Sequence, residues 1–177
     1  MTPTSTNATP VAIRVEVNGT PYEREVEPRR TLADFLREDL GLKGTHVACE
    51  HGFCGNCNVL VDGAALRACL MFAVQADGHS IETVESLAGP GGELDGLQQA
   101  FTEHHALQCG FCTPAMLMTA TEFLREHPGE TDEMAIREAI SGVLCRCTGY
   151  QQIVDAIQSA ARAQQTAHSL NPVGDVT

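Results

Sequence analysis

The chain has 177 residues, 43% of them hydrophobic, enough for one ordinary domain or two small ones with modest cores. Eleven Lys and Arg against 23 Asp and Glu give a formal charge of −12, with no Trp, two Tyr and six Phe. Phosphate backbones and anionic membranes repel such a chain and base-stacking side chains are scarce, which argues against a nucleic-acid partner. Residues 1–10 are Thr- and Pro-rich and lack the basic start and apolar stretch of a secretory signal; they read as a disordered N-terminal segment. Val11, Ile13, Val15 and Val17 alternate with Ala12, Arg14 and Glu16, the period of a half-buried strand. Asn18-Gly19 then predicts a two-residue hairpin turn, with Thr20 to Val26 as the return strand. Thr31, three residues before Asp34, opens a predicted helix of about ten residues on Leu32, Phe35, Leu36 and Leu40, closed by Gly41. From Lys43 to Asn58 periodicity stops, and Gly44, Gly52 and Gly55 punctuate a loop holding three cysteines. Val59 to Asp62, Ala64 to Arg67 and His79 to Val84 read as strands, separated by Asp62-Gly63 and Asp77-Gly78 turns.

Gly89-Pro90-Gly91-Gly92 resists helix and strand alike and marks a linker at 89–95 between domains at 11–88 and 96–163. Beyond it the period is helical. Leu94, Leu97 and Phe101 predict a helix carrying His104 and His105 and ending near Gly110. Thr113-Pro114 fits the N-cap and first position of a second helix, running to about His127. Thr131 or Asp132 caps a third through Ile136 and Ile140, and a fourth starts near Tyr150 with Ile153, Val154 and Ile157. Residues 164–177 read as a frayed tail. The longest stretch free of Asp, Glu, Lys and Arg, His104 to Thr121, is too polar for a membrane span.

Eight cysteines admit disulfides, structural zinc or iron–sulfur ligation. Nothing in the N-terminal residues supports an oxidising destination, which leaves metal and predicts a cytoplasmic protein. The first set is Cys49-x4-Cys54-x2-Cys57, then eleven residues to Cys69, the plant-type 2Fe-2S order in which a glycine-punctuated loop converges thiolates on one cluster. Zinc would require a second C-x2-C pair, and a Rieske site a Cys-x2-His half; this part of the chain has neither, so His51 reads as a loop residue. The second set, Cys109-x2-Cys112 and Cys145-x-Cys147, is by itself compatible with four-sulfur zinc or with a cluster. Both of its pairs precede predicted helix starts, where free N–H groups favour a negatively charged cluster.

The strings CEHGFCGNC at 49–57, CL at 69–70, QCGFCTPAM at 108–116 and CRCTGY at 145–150 resemble the iron–sulfur subunit or domain of the molybdenum hydroxylases, the xanthine oxidase and carbon monoxide dehydrogenase family. The resemblance covers roughly Val11 to Ala161. It implies an α+β chain: an N-terminal plant-type ferredoxin β-grasp domain followed by a four-helix-bundle 2Fe-2S domain. It also implies an electron relay with no catalytic site on this chain. Cys109, Cys112, Cys145 and Cys147 would hold the cluster nearer a molybdopterin centre on a large partner subunit. Cys49, Cys54, Cys57 and Cys69 would hold the one nearer FAD on a medium subunit, in a dimer of heterotrimers. Gln108 takes the place of a pterin-contacting glutamine, and Cys147 that of the ligand whose sulfur approaches the pterin amine. The substrate class it implies is broad: aromatic heterocycle, aldehyde, acyl-CoA or carbon monoxide. An autonomous two-cluster carrier is the alternative. Asn56, Asn58, Ala115 and Val143 depart from the common family pattern and are not ligands. Two oxidised four-thiolate clusters, each formally −2, would bring the charge to roughly −16, and basic patches on the partners are expected.

The remaining candidates read as bland. His46 and His51 flank Cys49, His104 and His105 suit a surface or interface, and Met116 and Met118 suit a core. Arg146, between two cysteines, is placed to favour a reduced cluster. No nucleophile–base pair, phosphate loop or paired catalytic carboxylate is evident.

Overall fold

The computed structural model describes residues 9–170. Strand β1 (Val11–Val17) turns Ile13, Val15 and Val17 inward and pairs antiparallel with β2 (Thr20–Val26). Asn18 and Gly19 both adopt positive φ, 52° and 72°, the twist that closes a two-residue hairpin. Strands β3 (Asn58–Val61) and β4 (Ala64–Arg67) form a second hairpin around Asp62 and Gly63, also at positive φ. Strand β5 (Ser80–Glu82) inserts between the hairpins, parallel to β1 and antiparallel to β3, giving the order β2-β1-β5-β3-β4. The Asn18 side chain clips this sheet shut: its Nδ2 donates to Thr83 Oγ1 and its Oδ1 accepts from Thr83 N–H, both at 2.9 Å.

The ten-residue helix expected from Thr31 is two shorter turns. Thr31 Oγ1 accepts from Asp34 N–H at 3.1 Å to start α1 (Leu32–Asp34), and a π-helical turn follows over Phe35–Asp39. The wider turn is set by Leu40 N–H reaching back five residues to Phe35 O. Leu32, Ala33, Phe35 and Leu36 are buried under the sheet.

Four helices make up the second half: α2 (Gly96–Glu103), α3 (Thr113–Glu126), α4 (Glu133–Ile140) and α5 (Gln151–Leu170). The expected extension of α2 to Gly110 does not form. His105 takes a left-handed φ of 52°, so His104 and His105 lie past the helix end rather than on it. Cys112, not Thr113, is the N-cap of α3, with Pro114 still inside the first turn. Asp132 caps α4, its Oδ1 accepting from Ala135 N–H at 2.9 Å. Helix α5 continues beyond Ala163 to Leu170, correcting the tail expected from 164: neither Gly nor Pro interrupts those residues, and Gln165 Nε2 still donates to Gly129 O at 2.6 Å. The remainder of the expected tail, 171–177, and most of the expected N-terminal segment, 1–8, lie outside the described residues.

Two cores result. One gathers Ile13, Val15, Leu32, Phe35, Val59 and Ile81; the other gathers Phe101, Met116, Ile136, Ile140, Ile153 and Ile157. Val84 and Leu87 already pack against the second, so the changeover precedes the linker read at 89–95. Among the described residues no helix is long and apolar enough to cross a membrane.

Helix α3 crosses the sheet, and Arg125 near its end makes a two-pronged contact with Glu82 of β5 at 2.6 and 2.8 Å. The Arg125 hydrogen bonds hold the Glu82 carboxyl below its usual range although partial burial opposes this. A carboxyl lowered in the folded state stabilises above its unfolded pKa, and that contribution disappears as pH falls through the native value. Arg125→Ala is therefore expected to cost no more than about 1 kcal/mol near neutrality, since the pair is partly solvated. Melting curves of the variant and parent should converge between pH 5 and 3, about the carboxylate range.

Candidate functional site

The first cysteine loop is anchored by Arg37, whose guanidinium donates to Lys43 O at 2.9 Å and Thr45 O at 2.8 Å. Beyond that clamp Glu50, Gly52 and Gly55 take positive φ, coiling the backbone between the thiols. Cys54 N–H donates to Cys49 Sγ at 3.4 Å. Cys69, just after β4, reaches Cys57 thiol to thiol, and Ala68 N–H bonds Cys57 O at 3.2 Å. Cys54, Cys57 and Cys69 are buried, and Cys49 is half-buried. Their acidities differ accordingly: backbone N–H groups of His51 and Cys54 bring the Cys49 thiol down to about 6, while burial pushes Cys57 up to about 12. His51 is turned back onto the Cys49 carbonyl, a loop contact as expected.

The second set sits at two helix starts. Cys112 caps α3 and hydrogen-bonds Cys145; Cys109 does the same with Cys147. Burial pushes the Cys112 thiol up to about 12, and the Cys109 thiol raises Cys147. Burial also acts to raise Cys145, but hydrogen bonds from Thr148, whose Oγ1 lies 3.1 Å from its sulfur, and from Cys147 N–H win and lower it. Tyr150 closes this loop: its hydroxyl accepts from Cys145 N–H at 2.9 Å and donates to Val143 O at 3.3 Å. Cys109, Cys147, Gln108 and Arg146 are all exposed at one end, whereas Met116 and Met118 are core residues.

The eight thiols are free, and neighbouring thiols meet as Cys57 with Cys69, Cys112 with Cys145 and Cys109 with Cys147. Among the described residues no three His, Cys, Asp or Glu groups are arranged to hold a single ion. The donor chemistry is that of a cluster: four sulfurs per group, no nitrogen or oxygen among them, and a backbone coiled by glycines on one side or capped by helix starts on the other. These residues fit 2Fe-2S groups.

Spacing could not show that the two groups are directly joined. Leu144 N–H, one residue before Cys145, donates to Cys54 O at 2.8 Å. The close approach depends on Gly55, where a Cβ would lie 2.1 Å from Gly142 O. His46 stacks on Phe111 with ring centroids 4.9 Å apart, and its Nδ1 lies 2.8 Å from Phe111 O, adding a second bridge between the loops. Asn58 and Thr119 are further seam residues that the sequence reading did not join; they are 61 positions apart and only the fold brings them together.

Comparison with known proteins agrees with this geometry. Residues 15–83 match the family described as the 2Fe-2S iron-sulfur cluster binding domain, and residues 83–158 the family described as the 2Fe-2S binding domain. The chain is 55% identical over 159 residues to caffeine dehydrogenase subunit gamma of Pseudomonas sp. strain CBB1, covering 89% of this chain and 95% of that protein. It is 57% identical over 150 residues to the nicotine 6-hydroxylase small subunit of Paenarthrobacter nicotinovorans, covering 85% and 89%. The chain belongs to the small two-cluster iron–sulfur subunits of the molybdenum hydroxylases. Its fold superposes on a chain of quinoline 2-oxidoreductase from Pseudomonas putida 86 with a TM-score of 0.84 at 52% identity, covering 89% of this chain and 97% of that one. It is thus an electron-transfer subunit of a molybdenum-containing oxidoreductase complex, carrying two 2Fe-2S-binding domains.

Gly55→Ala is expected to cost about 1–3 kcal/mol through left-handed strain alone, before the collision with Gly142 is counted. Thermal unfolding should show the loss, whereas Gly19→Ala, with open space around it, should show only the strain.

Proposed function

We propose that this subunit passes electrons from a molybdopterin centre on a large partner to FAD on a medium partner, during oxidation of a nitrogen heterocycle. The observation that carries the reading is the Cys54 carbonyl accepting from Leu144 N–H, which links the two thiol groups by a single hydrogen bond. Cys49, Cys54, Cys57 and Cys69 would hold one cluster; Cys109, Cys112, Cys145 and Cys147 the other. When bound, the clusters supply one-electron storage between a two-electron donor and the flavin.

The chain's own residues then have separate tasks. Cys109, Cys147 and Gln108 lie exposed at one end, as approach to a pterin requires. The helix start at Cys112 directs free N–H groups toward its thiol group, opposing the burial that disfavours charge there. Burial of Cys54, Cys57 and Cys69 keeps water from the first group. Phe53 and Leu70, 73% and 60% exposed beside Cys54 and Cys69, offer the flavin-bearing partner an apolar contact next to that group. Arg137 and Arg125 are paired with acids, and the net charge of −12 favours basic patches on both partners. A dimer of heterotrimers in the cytoplasm, where free thiols persist, completes the proposal. The heterocycle assignment rests on relatives named for caffeine, nicotine and quinoline, all nitrogen heterocycles.

The purified complex should contain about four irons and four acid-labile sulfides per copy of this chain. Cys57→Ser should abolish one cluster's EPR signal and stop reduction of the flavin. Cys112→Ser should abolish the other and stop flow out of molybdenum. Retention of both signals and full turnover in either variant refutes the ligand sets, and turnover of aldehydes but not of quinoline or nicotine refutes the substrate class.

A further inference from the structure

Three residues spaced three apart on α3 reach three different strands. Thr119 Oγ1 accepts from Asn58 Nδ2 of β3 at 3.0 Å, Glu122 Oε1 accepts from Ala65 N–H of β4 at 2.7 Å, and Arg125 grips Glu82 of β5. The first of these is the buried one: Asn58 is 7% exposed and Thr119 6%. Both partners issue from the thiol groups. Asn58 directly follows Cys57, and Thr119 stands seven residues, about 10 Å along the helix axis, beyond Cys112. Asn58 Oδ1 has no hydrogen-bond partner in its buried position, and the amide therefore depends on Thr119 for its one bond to the opposite domain.

A buried polar pair is a poor source of net stability compared with an apolar pair of the same size, but it admits only one alignment. A shift of α3 by one turn along β3 would move it about 5.4 Å and leave both groups unpaired. Apolar contacts across the same seam, between α3 and the wholly buried strand β3, carry no such directional requirement.

We propose that Asn58 and Thr119 are positioning residues that set the separation and orientation of the two thiol groups, with Glu122 and Arg125 extending the same stripe. The proposal rests on the two-cluster reading above. It makes electron exchange between the groups depend on a contact that touches neither of them.

The test uses the holo-complex with both clusters reduced, where the magnetic interaction between them splits their EPR lines and falls with the inverse cube of their separation. Thr119→Val removes the acceptor at equal volume, and Thr119→Ser keeps it. The splitting is expected to shift in Thr119→Val and to be retained in Thr119→Ser. Amide exchange at Leu144, across the seam, is expected to speed up about tenfold in Thr119→Val, within what an orphaned buried donor costs. Should Thr119→Val fail to assemble, Asn58→Val with Thr119→Val restores an apolar seam, and its splitting is expected to differ from the parent's. An unaltered splitting in an assembled variant with four irons per chain overturns the proposal. A parent with other than four irons overturns the two-cluster reading, and the proposal with it.

Discussion

The contact between Cys54 O and the Leu144 amide organises everything around it. It requires two loops from separate domains, each already committed to presenting sulfur, to bring their main chains into hydrogen-bond range. Only a residue without a side chain can stand at position 55, because Gly142 O occupies the space a Cβ would need. The surrounding features serve that approach: the Arg37 clamp on one loop, the Tyr150 hydroxyl on the other, and α3 laid across the sheet between them.

The protein treats its two thiol groups differently. One is enclosed by strands and coiled backbone; the other is half open, at the starts of α3 and α5, with Cys109 and Cys147 at the surface. Burial raises the cost of charge on Cys57 in one group and Cys112 in the other, while backbone N–H groups reduce it on Cys49 and Thr148 and the Cys147 N–H reduce it on Cys145. Each group thus holds one thiol that resists charge and one that accepts it, and the two groups differ in solvent exposure, one of the levers that sets reduction potential.

Much of this was legible in the residues themselves. Positive φ at Asn18-Gly19 and Asp62-Gly63 follows from local chemistry, as does the cap at Asp132. Misreadings fell where tertiary contacts override local preference. The π-turn at Phe35–Asp39 goes with the joint burial of Leu32, Ala33, Phe35 and Leu36, and α2 closes where left-handed His105 lets Ala106 N–H bond back to Phe101 O. The seam residues were beyond reach for a different reason. Nothing in the spacing of Asn58, Thr119, His46 or Phe111 says that 61 or 65 positions of chain fold back to join them.

Strand β3 is buried at all four of its residues, Asn58 to Val61, with the first core on one side and α3 on the other. During synthesis the first five strands leave the ribosome well before α3 does. Until that helix arrives, the face of β3 that carries Asn58 and Leu60 has no cover. The first domain is complete in sequence by Thr83 but not in surface, and its seam with the second is closed only once the chain has passed Glu126.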